Sequence, residues 1–167
     1  MNAQPSNFDL APVEAVSQGV NQFVTFSAGD NAYGIDIMSV REIRSWSPTT
    51  PLPGRPFGAK GVLDIRGSVV EVYDLSAILG GPSIEARAGH VVLVVALNRT
   101  NVGILVDTVS DIIFAEPGDF RDPPAAGHGA KVSGLVQQGD LLVAILDLQA
   151  LFADAGVGQP DAGAPIN

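Results

Sequence analysis

The sequence predicts an all-β protein built from two copies of one small barrel-like unit. Short strand signals at regular spacing, with no sustained helical period, point to β structure. The same signals occur twice in the same order. Gly34-Ile35-Asp36-Ile37 leads into Val40-Arg41-Glu42-Ile43, and sixty-nine residues on, Gly103-Ile104-Leu105-Val106 leads into Val109-Ser110-Asp111-Ile112. Later, Gly61-Val62 precedes Asp74-Leu75-Ser76-Ala77-Ile78-Leu79, and seventy-three residues on, Gly134-Leu135 precedes Asp147-Leu148-Gln149-Ala150-Leu151-Phe152. A period of about 70 residues is too long for a solenoid and suits a duplicated small unit. Copies of about 22–80 and 90–152 follow, with exchange of strands between them left open.

The elements can be justified in order. Residues 1–21 are polar and aperiodic and are expected to be a disordered tail. Phe23-Val24-Thr25-Phe26 reads as a strand and Gly29-Asp30-Asn31 as its hairpin turn. Tyr33, Ile35 and Ile37 alternate with Gly34 and Asp36, as in a half-buried strand. Val40 to Ile43 continue as a third strand or a bent extension. Pro48, Pro51, Pro53 and Pro56 make Ser47 to Gly58 an irregular loop, since proline cannot sit in mid-sheet. Gly61 to Ile65 and Val69 to Leu75 form a hairpin around Arg66-Gly67-Ser68. Ser76 to Leu79 is a short helical turn stopped by Gly80-Gly81-Pro82, and Gly81 to Gly89 links the copies.

The second copy repeats this order. Val91 to Leu97 is a buried strand, followed by strands over Val102 to Val106 and Val109 to Phe114. Glu116 to Gly129 is a long loop. Lys131 to Gln137 and Leu141 to Leu146 form a hairpin, and Leu148 to Phe152 a short helix. Each copy thus supplies about five strands, the count of a small, partly open barrel. Residues 155–167 are expected to be a second disordered tail, leaving 22–154 as the folded domain.

Composition narrows the function. The chain has 167 residues, 46% hydrophobic but only 6% aromatic, so its core is built from Val, Ile, Leu and Ala. It has no cysteine, which excludes a disulfide, a Cys-based zinc site and a thiol nucleophile. The N-terminus lacks a basic segment followed by an apolar one, and the longest apolar run, Val91 to Leu97, is too short to span a bilayer. The reading is a cytoplasmic protein without membrane insertion. A net charge of −9 speaks against nucleic acid. Five of the nine basic residues, Arg41, Arg44, Arg55, Lys60 and Arg66, lie between 41 and 66. Only Glu42 and Asp64 oppose them there, which reads either as a solvated basic loop or as a docking patch for an acidic surface.

No catalytic equipment is legible. His90 and His128 stand far apart, and no set of metal ligands at workable spacing occurs. Gly54-Arg55-Pro56-Phe57-Gly58-Ala59-Lys60 has the wrong glycine spacing for a phosphate loop, and Pro56 removes a backbone donor. Asp74 and Asp147 fall at equivalent places before short helices, as capping residues do. No catalytic, cofactor-binding or metal-binding residue is assigned, and the chain reads as a non-enzymatic binding module.

The residues then become recognisable. Phe23 to Phe26, Gly29-Asp30, Tyr33 to Ile37 and Val40 to Arg44 resemble the opening of the CheW family. So do Lys60 to Gly67, Val69, Val72, Asp74-Leu75, Val102 to Asp107 and Val109 to Ile112. The resemblance covers about residues 22–152. It implies two five-stranded SH3-like barrels packed together. It also implies a chemotaxis adaptor that couples the cytoplasmic signalling tip of transmembrane chemoreceptors (methyl-accepting chemotaxis proteins) to the regulatory domain of the histidine kinase CheA, within membrane-associated arrays. By the same resemblance, Val40, Glu42 and Arg66 are protein-binding positions. Val40 and Glu42 are then expected to serve the receptor, and the second copy, with Asp111, packing or the kinase. Asp64 and Glu71 depart from the family's usual Asn and Pro and bear on partner choice. Two alternatives stand beside this reading. One is a CheW-like regulatory domain of a kinase-type protein; the other is a small β-barrel enzyme with an unrecognised site.

Overall fold

Strand β1 (Asn21–Ala28) buries Phe23, Val24, Thr25 and Phe26 in succession because it has a core on each face. Its sheet neighbours show how the duplication is used. In the computed structural model, which describes residues 21–54, 58–123 and 131–153, the first copy continues through β2 (Asn31–Asp36), β3 (Val40–Ser45), β4 (Ala59–Ile65), β5 (Ser68–Asp74) and helix α1 (Leu75–Ile78). The second copy supplies β6 (Val91–Leu97), β7 (Thr100–Val106), β8 (Thr108–Ala115), the two-residue β9 (Phe120–Arg121), β10 (Val132–Gln138), β11 (Leu141–Leu146) and α2 (Leu148–Ala153).

The strands form two sheets, in the orders β8-β1-β2-β11-β10-β9 and β3-β6-β7-β5-β4. Each sheet therefore combines the first hairpin of one copy with the later strands of the other. Two of the joins between copies are parallel, Val72 of β5 pairing with Gly103 of β7 and Ile145 of β11 with Gly34 of β2, and two, β1–β8 and β3–β6, are antiparallel. The third strand expected after Ile37 is real but separate. A single 3-10 turn at Ile37–Ser39, capped by the Asp36 carboxylate accepting from Met38 N at 2.8 Å, carries the chain out of one sheet and into the other. The sixth strand of the first sheet is β9, which lies within the segment expected to be all loop.

The larger apolar cluster joins Val24, Phe26 and Ile35 to the β5, β6 and β7 side chains and to Leu151 and Phe152 of α2. A smaller cluster of Phe23, Ile113, Ala115, Val136, Val143 and Ile145 fills the other face of β1. Asp74 and Asp147 are caps, accepting from Ala77 N and Ala150 N at 3.2 Å each. Asp74 does more. It is buried and also accepts from Ile84 N at 2.6 Å. That bond draws Ile84 of the inter-copy linker into the core, so the linker is a structural part of the domain. The expected tails lie outside the described residues, apart from Asn21, which opens β1.

Candidate docking groove

Strands β3 and β8 each form one edge of their sheet, and they carry the two copies of Val-x-[Glu/Asp]-Ile. Both copies contain a bulge at the same place. Val40 pairs with Val95 and Glu42 with Val94, leaving Arg41 as the extra residue. Val109 pairs with Phe26 and Asp111 with Thr25, leaving Ser110. A bulge bends its strand and re-aims the side chains around it. Arg41 and Ser110 are both exposed as a result.

The two bulged strands wall a groove of about 820 Å³. One wall is Ile37, Met38 and Val40 to Ile43; the other is Val109 to Ile112; Val24 of β1 also lines it. The lining is mainly apolar, and it includes Met38 and Ile43, which are 66% and 43% exposed. Large apolar side chains left this open along one wall of a cleft make it a candidate docking surface.

Charge is arranged around this apolar strip. The Arg66 guanidinium donates to Glu42 Oε1 at 2.8 Å, and Arg44 donates to Glu42 Oε2 at 3.4 Å. Arg66 reaches there from the β4–β5 turn, where Arg66 and Gly67 both have positive φ, +54° and +87°. Two such residues are what a tight two-residue hairpin turn requires. Asp64 Oδ1 accepts from Gly67 N at 2.9 Å and holds that turn. The side-chain oxygen of the family's usual Asn could make the same bond, so this departure preserves the turn. Glu71, the other departure, accepts from the Tyr73 hydroxyl at 2.9 Å.

The three positions taken from the resemblance therefore fall close together. Val40 and Glu42 line the groove, and Arg66 is tied to it through Glu42. Val40 also packs against the main core, so its structural role and its place on the groove coexist. The two motif copies do not lie apart in the fold, because exchange of the hairpins brings Val109 to Ile112 to the same groove as Val40 to Ile43. Nor is the basic stretch one patch. Lys60 turns to buried Asp74, 3.7 Å away, Arg44 and Arg66 are taken up by Glu42, and Arg55 lies outside the described residues. His90 lies 3.8 Å from Asp107, and its carbonyl accepts from Trp46 N. His128 is outside the described residues. Tyr33, away from this groove, is half-buried; burial pushes its phenol pKa up against the hydrogen bond with Asn31.

Comparison with known proteins decides the family. The CheW-like domain family matches residues 22–156. The chain belongs to the CheW family. A probable chemotaxis protein CheW of Rhizobium etli is 34% identical over 145 residues, covering 85% of this chain and 94% of that protein. The chemotaxis protein CheW of Rhizobium meliloti is 33% identical over 140 residues, covering 82% and 90%. The crystal structure of the scaffolding protein TtCheW from Thermoanaerobacter tengcongensis superposes with a TM-score of 0.76 at 25% identity, covering 84% of this chain and 97% of that one. The two sheets are thus the two SH3-like subdomains of a CheW fold, and membership makes the chain a chemotaxis adaptor.

Proposed function

We propose that this chain is a non-catalytic adaptor that seats the cytoplasmic signalling tip of a chemoreceptor in the groove between β3 and β8. Its remaining surfaces would be free to engage the regulatory domain of the kinase CheA. The observation that carries the reading is the groove itself, an apolar cleft walled by both copies of one motif and bordered by the Glu42–Arg66 pair. An apolar centre within a polar rim is the anatomy of a protein interface. Both walls are short edge strands interrupted by bulges, a device that resists addition of a further strand. A helix laid between them meets no such obstacle. A six-residue strand spans about 20 Å, the length of roughly three to four helical turns.

In this reading the protein works in the cytoplasm, recruited to receptor arrays at the membrane. Among the described residues no helix is long and apolar enough to cross a membrane itself. Single contacts of this size can be weak, because an array holds many at once and effective concentration does the rest. Co-sedimentation with receptor signalling fragments and the kinase, leaving out each component in turn, tests the proposal. The adaptor reading expects kinase to sediment with receptor only when this protein is present. Kinase that sediments equally without it contradicts the reading.

A further inference from the structure

The two walls of the groove repeat one motif but differ in charge. The same bulge occurs in both, so a helix lying along the groove would meet the repeated Val and Ile positions in either direction, while Ile37 and Met38 extend the β3 wall at one end. The charged positions break that equivalence. On the β3 wall, Glu42 is neutralised by Arg44 and Arg66, whereas Arg41 spends one donor on Met38 O at 3.0 Å and meets no carboxylate among the described residues. On the β8 wall the bulged residue is Ser110, which carries no charge. Asp111 accepts from Ile112 N through Oδ1 and meets no cation among the described residues. Arg41 and Asp111 are both exposed at the groove. Among the described residues, one rim therefore presents a guanidinium without a carboxylate partner and the other a carboxylate without a cationic partner.

We infer that Arg41 and Asp111 fix the direction in which a partner helix lies in the groove. The partner is an amphipathic helix with an acidic residue flanking its apolar stripe on one side and a basic residue on the other. Turning such a helix end for end exchanges its flanks. Two attractive contacts then become two like-charge contacts, while the contacts with the repeated Val and Ile positions stay nearly the same. Complementary rim charge gives orientation and specificity more than raw affinity. The inference rests on the proposed function and adds to it how the groove reads the helix.

The test uses the isotope-labelled full chain and a chemoreceptor signalling-tip fragment, spin-labelled at one end of the contacting helix. Amide broadening reports which end of the groove the label approaches, the Ile37–Met38 end or the Ile43 end. In the wild type, broadening is expected at one end only. In the double variant Arg41→Glu, Asp111→Lys it is expected to move to the other end or to spread over both. The double variant's affinity should stay close to the wild type, because the reversed helix regains both ion pairs, whereas Arg41→Glu or Asp111→Lys alone should weaken binding about two- to fivefold at low salt, the difference closing as salt is raised. Broadening at both ends in the wild type, or at the same end in both proteins, overturns the inference and leaves the docking site standing. A fragment that binds neither protein overturns the docking site itself, and the inference with it.

Discussion

Gly34 and Gly103 occupy equivalent strand positions, yet the structure predicts that replacing them has unequal consequences. Each pairs across a parallel join with a branched residue, Gly34 with Ile145 and Gly103 with Val72. Neither has a positive φ, so an alanine is allowed by the backbone and the surroundings decide the cost. At Gly103 a Cβ would stand 2.9 Å from Val92 Cγ1 and 3.2 Å from Val72 Cγ2, with the Glu71 carbonyl at 3.5 Å. Both valines are fully buried, and a γ-methyl cannot retreat without moving its strand. At Gly34 the close atom is Ile145 Cδ1, also at 2.9 Å, but this is the far end of a side chain that can turn away. Overpacking a well-filled core costs about 1–3 kcal/mol, and replacing glycine returns about 0.4–1 kcal/mol through the unfolded chain. Gly103→Ala should therefore be destabilised by about 1–2 kcal/mol and Gly34→Ala by less than about 1 kcal/mol. Gly103→Val should lie at or above the upper figure. Urea unfolding at constant m separates these values. Equal midpoints for the two alanine variants, or a greater loss at Gly34, would refute the packing argument.

Three further outcomes are expected. Arg66 is 77% exposed, so Arg66→Glu should change stability by no more than about 1 kcal/mol in thermal unfolding while weakening kinase activation in reconstituted arrays. Combining it with Glu42→Arg should restore part of that loss, and a double variant no better than the worse single one would show that the pair is not the functional unit. Glu42→Lys, which sets a third cation beside Arg44 and Arg66, should weaken receptor binding about fivefold, or about 1 kcal/mol, with kinase binding near normal. Paired titrations with a receptor fragment and the kinase regulatory domain check this; equal loss for both partners counts against it. Because burial raises the Tyr33 pKa, the unfolded chain loses its phenol proton first as pH rises. Stability from this group is complete below pH about 10 and falls as pH climbs from there through the folded pKa, so Tyr33→Phe should flatten the alkaline limb of a pH–stability curve.

The sequence carried the strands because their apolar and turn residues are local signals. The Asp74 and Asp147 caps were legible for the same reason, since a cap is read three residues away. The groove was only half legible. Val40 and Glu42 could be singled out, but Val109 to Ile112 could not be placed opposite them, because that depends on which sheet each hairpin joins. Local periodicity is silent on that choice. The identical spacing of the two motif copies was the available hint, and it needed the hairpin exchange to become a site. Arg66 is placed on a hairpin turn by the sequence, but its pairing with Glu42 spans twenty-four residues and depends on two positive φ angles, so it is not legible locally. Ile84 was missed because one apolar residue in a polar linker has no period, and its burial follows from a hydrogen bond to Asp74.

The central claim is that the β3–β8 groove is where the chemoreceptor docks. The most direct measurement is an amide chemical-shift titration of the full chain with a chemoreceptor signalling fragment. The account predicts that the largest changes fall on both walls together, Ile37 to Ile43 and Val109 to Ile112. It also predicts that Val40→Asp, which puts a charge into the apolar strip, abolishes those changes while the remaining spectrum stays dispersed. Changes confined to another face, such as that around Leu79, Val132 and Leu142, would contradict it.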